Sequence, residues 1–474
     1  MTLLASLSAV APLLGVAVEQ NQRDMAIRVL ARICAHGKPW LVVFDNAESA
    51  EALCEWVEPL AGHGHVLITS RSENWGARAQ PVSVTQWSEE ESVRFLLART
   101  GQRDRDVAAK LAEDLGWLAL ALEHAAAYMS AGDGMSMAEY RRVWKERLAR
   151  TPAGDAYGRS VAASIGLSLD RVMEESPAGY ELLSVLAWLA PDRIPKAELL
   201  EAGAAKLPEA VRAVLADRDA WNDLIELVGG RYSLLRRERL DGVVTGYYMH
   251  RVVQQVMRER LKADASSWLQ AACDLVSRAF PFDSDEPPQW AAREALLPHA
   301  RALRERVDAE TAPDSVSRML SQAGLYLRVR GLFVEARDFV QLALASNLRQ
   351  FGTDHPDVAG NRSNLSNILW NLGEHQAARE QIELALASDL RQFGPDHPTI
   401  AVRRSTRAAI LTDLGEHQAA LTEIDQAREI FRKKLPPEHP YIRQTIETRE
   451  SILERVASAK WSRICSPAAT VIIE

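Results

Sequence analysis

The chain has 474 residues, of which 47% are apolar and 25% are charged, and its net charge is -8. Typical domain sizes predict about two to four domains in series for a chain of this length. The acidic balance and the ordinary composition argue against a dedicated nucleic-acid coat and against a disordered chain.

The cysteines and the apolar start of the chain bear on where the protein works. The four cysteines are scattered without the paired short spacings of a zinc site or a redox motif, which predicts free thiols in a reducing cytoplasm. The start, MTLLASLSAVAPLLGVAVEQ, lacks the basic segment that opens a signal peptide, since its first cation is Arg23. No later run of about 18 uninterrupted apolar residues follows, so we expect a cytoplasmic protein that does not bind a membrane.

The first hundred residues alternate helical pattern with short apolar runs. The pattern predicts helices near residues 23–35 and 49–58, and strands at residues 40–44, 65–69 and 81–84. Such alternation indicates a largely parallel sheet flanked by helices. The run WLVVFD is apolar throughout, as is typical of a strand covered on both faces.

Helical pattern dominates from residue 89 onward. Ser88 and Glu91 have the spacing of a capping box at the start of the first of these helices. The stretch AAKLAEDLGWLALALEHAAAYMSAG has apolar residues at helical spacing and is interrupted by Gly116. We therefore expect a turn between two helices at Gly116.

A hairpin signal follows in residues 228–262. Two short strand-like runs flank Asp241 and Gly242, and His250 begins a helix with apolar residues on one face. Helices followed by a hairpin indicate a winged-helix fold. This segment carries eight Lys and Arg against three Asp and Glu, so DNA contact is one reading and a solvated charged face is the other.

The last part of the sequence repeats itself every 42 residues. Each unit has a Leu-Gly turn between two helical patterns and then a loop containing Gly and Pro, which predicts a stacked solenoid of helical hairpins. The repeated histidines lie one to a unit, so loop capping is a better reading than a metal cluster. The columns with this period are Gly331, Gly373 and Gly415; His355, His397 and His439; Ala336, Ala378 and Ala420; and Ala343, Ala385 and Ala427.

Two neighbouring strands of the predicted sheet end in polar residues. Asp45 follows the first strand, where open α/β sheets bind ligands, and its carboxylate suits a magnesium-bound water. Thr69, Ser70 and Arg71 end the second strand, where the arginine suits a terminal phosphate. The alternatives are that Asp45 and the asparagine after it cap a turn, and that Arg71 is a solvated loop residue.

These motifs in this order resemble the NB-ARC class of signal-transducing NTPases, in particular bacterial forms that end in tetratricopeptide repeats of the kinesin-light-chain type. The resemblance rests on WLVVFDN, VLITSR, LGWLALALEHAAAYM, MHRVVQQVMRERL and the FGPDHP loops. It implies that Asp45 is the Walker B aspartate and binds Mg²⁺, and that Arg71 is the sensor arginine. It also implies that Gly116 and Leu118 form the turn beside the nucleotide, and that His250 contacts the β-phosphate of ADP.

The sequence departs from the family pattern at three places. Ala119 and Arg251 stand where the family has a proline and an aspartate. The glycine-rich P-loop of the family is not found, and the only Gly-Lys pair, Gly37 and Lys38, leads into a strand instead of following one. A P-loop supplies several charge-assisted hydrogen bonds to phosphate, each worth about 1.5 to 3 kcal/mol, so we expect weak or absent binding of ADP or ATP with Mg²⁺.

The expected fold is multidomain and mostly α. It comprises a partial α/β P-loop-NTPase-like domain, a helical domain, a winged helix and an α-helical tetratricopeptide-repeat solenoid. The predicted segments are an incomplete nucleotide-binding domain (1–88), a helical domain (89–158), a winged helix (159–262), a helical linker (263–316), repeats (317–460) and a tail (461–474).

The expected function is signalling or regulation through a protein or peptide bound in the repeat groove, with degenerate nucleotide binding and no enzyme activity expected. Two alternatives stay open. The first is an ADP/ATP switch completed by a partner chain that supplies the P-loop in trans. The second is a transcription regulator whose winged helix reads DNA, although nucleic acid is not the expected partner.

Overall fold

The computed structural model of the chain is mostly helical, with two small sheets, as the sequence predicts. The structure describes residues 10–16, 22–47, 49–58, 60, 64–70, 86–131, 134–150, 156–191, 193–280, 287–307 and 315–464, with positions 3, 7, 75, 79, 80, 82 and 310. Two compact units are present: the first contains Gly37–Val307, and the second contains Thr2–His36 and Asp308–Glu474. The finer boundaries of the six predicted segments stay a prediction.

The first unit begins with a two-stranded parallel sheet, as predicted. Strand β1 (Trp40–Ala47) pairs with β2 (Gly64–Ser70), and helix α2 (Ala50–Val57) connects them. The Ser49 side chain caps α2 by accepting a hydrogen bond from Ala52 N at 3.2 Å. A separate helix, α1 (Gln22–Cys34), precedes them and belongs to the second unit. The strand predicted at residues 81–84 lies outside the described residues except for position 82.

The prediction that β1 is covered on both faces is wrong for the described part of this unit. Side chains alternate between the faces of a strand. Phe44 is buried at 5% exposure, whereas Leu41 and Val43 are 62% and 51% exposed, and Leu67 of β2 is 53% exposed. One face of the sheet therefore presents apolar side chains that no described element covers.

Five helices follow in the first unit. The predicted capping box is confirmed, because Ser88 Oγ accepts from Glu91 N at 3.3 Å and the Glu91 carboxylate accepts from Ser88 N at 2.9 Å. Trp144 and Tyr140 are among the largest buried side chains of the core. The helices are α3 (Glu89–Thr100), α4 (Arg105–Asp114), α5 (Ala119–Ser130), α6 (Met137–Arg150) and α7 (Ala156–Glu175).

Helices and then a hairpin complete the first unit, in the predicted order. The three-stranded antiparallel sheet has the order β3-β5-β4, and Asp241 and Gly242 join the hairpin with φ of 49° and 81°, the left-handed values of a type I′ turn. The elements are α8 (Pro177–Leu186), β3 (Ile194–Pro195), α9 (Glu209–Ala216), α10 (Arg218–Ile225), β4 (Arg236–Leu240), β5 (Val243–Tyr248), α11 (Arg251–Arg260), α12 (Ala265–Ala279) and α13 (Pro287–Arg304).

Helical hairpins form the solenoid of the second unit, as predicted. Gly331, Gly373 and Gly415 take φ values of 74° to 80° at the turns within the hairpins, which a residue with a Cβ adopts only with strain. The two repeated alanine columns are fully buried where helices meet. The helices are α14 (Val316–Val329), α15 (Phe333–Phe351), α16 (Pro356–Asn371), α17 (His375–Phe393), α18 (Pro398–Asp413), α19 (His417–Lys434) and α20 (Pro440–Ile464).

Ion pairs join each repeat to the next. Arg337 binds Glu374 at 3.1 Å and Arg379 binds Glu416 at 2.8 Å, and both pairs span 37 residues. A more buried group lies between α17, α18 and α19, where the Glu423 carboxylate accepts hydrogen bonds from two arginines. Arg404 lies at 2.8 Å and Arg407 at 2.9 Å from it, and Arg407 also binds Glu383 at 2.8 Å.

The repeated histidines cap helices, as predicted. Nδ1 of His355, His397 and His439 accepts a hydrogen bond from the backbone N–H two residues on, at 3.2 to 3.3 Å. In two units the imidazole also stacks on a phenylalanine of the preceding helix, with centroids 4.1 Å apart for Phe351 and His355. Since Nδ1 is the acceptor, each ring carries its proton on Nε2.

Removal of one such cap has a defined cost. His397→Ala leaves the Thr399 N–H of α18 without its acceptor, and loss of an N-cap costs about 1 kcal/mol. We expect faster hydrogen exchange at the start of α18, measured by mass spectrometry of peptides from that helix. His397→Asp, which restores a capping oxygen, should recover most of the protection, and equal exchange in the two variants would contradict the capping role.

Candidate functional site

A cleft of ≈ 270 Å³ lies in the repeat array and is the first candidate site. Its walls come from the first helices of two successive hairpins, α16 and α18, and from the last helix, α20, and its base includes Ile424 and Phe431 of α19. The stacking of hairpins places equivalent side chains of these first helices side by side. Val402 and Tyr441 complete its apolar surface.

The polar residues of the cleft are hydroxyls and amides. They include Asn367, Thr406, Gln444 and Thr448, and none of the described residues that line the cleft is charged. Trp370 also lines it, with its indole N–H donating to Asp413 at 2.7 Å, so the ring is held in one orientation. Amide side chains both donate and accept hydrogen bonds, as the backbone of an extended peptide requires.

A second group of polar side chains lies at the end of β1, where the sequence places Asp45. Thr69 Oγ1 of the neighbouring strand donates a hydrogen bond to Asp45 Oδ1 at 2.5 Å. Arg251, at the start of α11, lies with its guanidinium 3.9 Å from Asp45 Oδ2. The fold therefore brings together a strand end and a helix start that are far apart in sequence, and both charged side chains of the pair are more than 60% exposed.

His250 is the residue next to this arginine and caps α11. Its Nδ1 accepts a hydrogen bond from Val252 N at 3.2 Å, so Nε2 carries the proton and can donate to an anion. Partial burial, and then the charge of Arg251, lower the pKa of His250. The ring is therefore neutral at pH 7 and keeps this tautomer.

The other predicted site residues make no described hydrogen bond to this group or lie outside the described residues. Gly116, with φ of 69°, forms the predicted turn between α4 and α5, and Leu118 is buried beside it. The carbonyl of Trp117 accepts from Trp87 N at 3.1 Å, and the described hydrogen bonds of this turn do not reach Asp45 or His250. Arg71 lies outside the described residues, so its predicted role stays a prediction.

The Asp45 group offers few ligands for Mg²⁺. Asp45 and Thr69 offer one carboxylate and one hydroxyl, which suffice for Mg²⁺ only together with phosphate oxygens and water. Arg251 competes with a cation for the same carboxylate. Over the described ranges, no three His, Cys, Asp or Glu side chains converge on a common metal position.

Arg251 and Thr69 are functional candidates that sequence reasoning did not select. Arg251 is visible in the sequence only as a departure from the family aspartate, and its contact with Asp45 is a tertiary one. His124 of α5 is another, being buried at 1% exposure with Nδ1 unpartnered in the described structure. Burial, with a smaller contribution from the nearby His250, lowers the pKa of His124 to about 4, and a hydrogen bond with the backbone of Tyr232 opposes this shift.

Two buried histidines predict a pH dependence of stability. Burial lowers the pKa of both His124 and His299 to about 4, whereas an unfolded histidine titrates near 6.5. Between these values the unfolded chain binds more protons, so stability falls as the pH falls from about 6.5 to 4, by at most about 1.4 kcal/mol per pH unit for each histidine. We expect His124→Gln to reduce the loss of thermal midpoint between about pH 7 and pH 5. The same change at the exposed His65 should leave it unaltered, and an unchanged slope in His124→Gln would contradict the prediction.

Much of the basic charge of the hairpin region is paired within the first unit. Arg231 binds Glu175 at 3.1 Å, Arg237 binds Glu226 at 2.9 Å, and Arg260 binds Asp170. Arg258 donates to the carbonyl of Ala187 at 2.5 Å. These internal partners favour a packing role over phosphate contact for Arg258 and Arg260 of α11.

Comparisons with known proteins identify the repeats. Residues 315–390 and 359–433 match the tetratricopeptide-repeat family TPR_12, and residues 171–266 match a domain of unknown function, DUF7779. The C-terminal part of the chain is thus a tetratricopeptide-repeat array. No described helix is both long and apolar enough to cross a membrane.

One curated relative is similar to this chain over most of its length. A nucleotide-binding leucine-rich repeat (NLR)-like protein of Hyaloscypha variabilis is 23% identical over 361 residues, which cover 68% of this chain and 34% of that protein. The chain thus spans about a third of the length of this relative.

The solved structures are similar at a TM-score of 0.30. They are nearly identical TPR-like repeats related to kinesin light chain from Podosopora anserina (17% identity, 43% of this chain and 90% of that one) and a STAND ATPase with a tetratricopeptide-repeat sensor from Pyrococcus horikoshii (14%, 97% and 81%). Likenesses at this level do not bear on the functional site.

Proposed function

We propose that this chain is a regulatory or signalling protein of the NB-ARC kind, which acts by binding a protein partner in the cleft of its tetratricopeptide repeats. The observation that carries the proposal is the chemistry of that cleft. An aromatic and aliphatic base lies beneath neutral hydroxyl and amide groups, and two successive hairpins and the last helix, α20, contribute to the cleft. The similarity to an NLR-like protein supports a role in signalling.

The partner expected from this chemistry is an extended peptide with a neutral, apolar centre. Charged side chains in a ligand would lose water in the cleft without gaining an opposite charge, because the described lining is uncharged. Apolar side chains gain by burial, and backbone amides find partners in Asn367 and Gln444.

Peptide selection tests the proposal. A phage-displayed peptide library should yield peptides that bind the full chain, with affinity measured by isothermal titration. Thr406→Arg places a long cation inside the cleft and should weaken such peptides by more than about tenfold, or about 1.4 kcal/mol. Glu380→Arg, at an exposed position of α17 outside the cleft, is the matched control and should leave affinity unchanged. Equal affinity of both variants for the peptides would show that the peptides bind outside the cleft and would contradict the proposal.

A second function is favoured by the convergence of Asp45, Arg251 and His250. In this proposal Asp45, Arg251 and His250 bind the phosphates of ADP or ATP together with their magnesium ion. A partner chain supplies the P-loop in trans. Arg251 and the Nε2–H of His250 would bind phosphate oxygens, and Asp45 would hold the magnesium that accompanies them. When bound, that ion would neutralise phosphate charge.

Titration with ADP and magnesium, followed by calorimetry, tests this second proposal. Micromolar binding that Arg251→Ala weakens about tenfold would support it. Lys262→Ala, which changes a cation at the far end of the same region, should have no effect. Absence of binding in the presence of a P-loop-bearing partner would end it.

A further inference from the structure

Helix α16 contains a glycine that the packing of the chain does not require. Gly360 is the fifth residue of α16 and has no left-handed φ. Beyond its own helical backbone and its two neighbours in sequence, a Cβ at Gly360 would meet no atom within 4 Å. Glycine destabilises a helix interior relative to alanine, because it loses more backbone entropy on folding. Gly324 of α14 differs, since a Cβ there would lie 2.5 Å from Val340 Cγ2. Packing therefore accounts for Gly324 and not for Gly360.

Two relationships place Gly360 on the side of α16 that faces the cleft. Gly360, Asn364 and Asn367 are spaced by four and then three residues, so they lie on one face of the helix. Asn367 lines the cleft. Gly360 is also equivalent, by the 42-residue period, to Val402 of α18 and Gln444 of α20, which both line the cleft. This row of equivalent positions therefore presents an amide on α20, an isopropyl group on α18 and no side chain on α16.

The face of α16 at Gly360 has the properties that an approaching main chain requires. A helix position without a side chain lets another backbone come close to the helix. Asn364, one turn farther along the same face, is partly exposed, and its side-chain amide makes no hydrogen bond within the described part of the chain. An amide both donates and accepts hydrogen bonds, so it can pair with a peptide group. Gly360 thus provides space and Asn364 provides a hydrogen-bonding partner.

We propose that the main chain of the bound peptide crosses α16 directly over Gly360 and forms a hydrogen bond with the Asn364 amide. This inference rests on the proposed function and extends the binding surface from the cleft along the cleft-facing side of α16. The part of the ligand that contacts Gly360 is an extended segment and not a helix, because a helix uses its N–H and C=O groups internally. Gly360 is therefore a specificity-determining residue that selects the conformation of the ligand.

Gly360→Ala in the full chain tests the proposal, because it should stabilise the helix and weaken binding at once. Hydrogen exchange of α16 in the free chain should slow by about fivefold, since alanine favours the helix and its Cβ has room. The affinity of the phage-selected peptides, measured by isothermal titration, should fall by about tenfold, since the added methyl group holds their main chain away from α16. Gly360→Val, which copies Val402 of the next repeat, should weaken the peptides further.

Two further variants complete the series. Asn364→Ala removes the amide without adding bulk and should weaken the same peptides by about fivefold, the usual effect of one lost hydrogen bond. Gln376→Ala, at an exposed position of α17 outside the cleft, is the control and should leave both the α16 exchange and the peptide affinity unchanged.

The outcomes separate this inference from the proposed function. Unchanged peptide affinity in Gly360→Ala or in Asn364→Ala, while Thr406→Arg still weakens the peptides, would overturn this inference and not the proposed function. Exchange of α16 that is unchanged or faster in Gly360→Ala would also overturn it, because the glycine would then serve the fold. Unchanged affinity in Thr406→Arg, or a library that yields no binding peptide, would contradict the proposed function and this inference together.

Discussion

Glu423→Ala is expected to destabilise the repeat array by about 3 to 5 kcal/mol, the usual cost of removing one partner from a buried ion pair. Its carboxylate is 11% exposed and accepts from Arg404 at 2.8 Å and from Arg407 at 2.9 Å. Removal of the Glu423 carboxylate leaves the guanidinium groups of Arg404 and Arg407 without the anion that they share. Arg407 retains Glu383 as a partner, whereas Arg404 loses the only carboxylate bound to it in the described structure.

The loss is best measured within the second unit because the chain has more than one compact unit and is not expected to unfold in one step. Hydrogen exchange of peptides from α18 and α19, followed against urea concentration, isolates the effect. Glu447→Ala removes an exposed carboxylate from α20 and is the matched control, with no expected shift. An equal shift of the urea dependence in both variants would show that the buried Glu423 ion pairs stabilise the array no more than an exposed carboxylate does.

Phe431→Ala is expected to cost about 3 to 5 kcal/mol through lost burial and the cavity left behind. Phe431 is 2% exposed and packs in a cluster with Leu386, Ile400 and Ile442, which come from three different helices. The cavity would open where α19 meets α18 and α20. Since Phe431 also forms the base of the cleft, peptide binding should fall together with stability.

The same substitution at Phe393 provides the control. Phe393 is 42% exposed and stacks on His397 with ring centroids 4.7 Å apart, so its truncation should cost less than about 1 kcal/mol. Urea unfolding monitored by hydrogen exchange compares the two variants. If Phe393→Ala proved as costly as Phe431→Ala, burial would not be the source of the stability.

The repeat array was predictable from sequence because its information is local and is repeated. The turn at Gly373 needs a left-handed backbone, and the cap at His397 needs only the N–H two residues away. Both requirements recur every 42 residues, so the pattern in each unit supports the same structural prediction for the other units. The hairpin at Asp241 and Gly242 was predictable for the same local reason.

The candidate sites were predictable only in part, because they depend on tertiary contacts. Asp45 was selected from its place at a strand end, but its pairing with Arg251 joins two segments that carry no common sequence signal. The burial of His124 likewise depends on surrounding helices and not on its own helix. The apolar run of β1 led to a wrong prediction, namely that both faces of the strand are covered. Apolar side chains do not guarantee a neighbour on each face, as the exposed Leu41 and Val43 show.

The regular spacing of the ion pairs along the repeats has an evolutionary consequence. Arg337 and Arg379 each find their acid 37 residues downstream, within the adjoining hairpin. The middle hairpin, α16 and α17, carries both the acid Glu374 and the arginine Arg379, so its duplication would supply every arginine with an equivalent acid at the new junction. The array can therefore gain copies of this one hairpin without a new kind of junction.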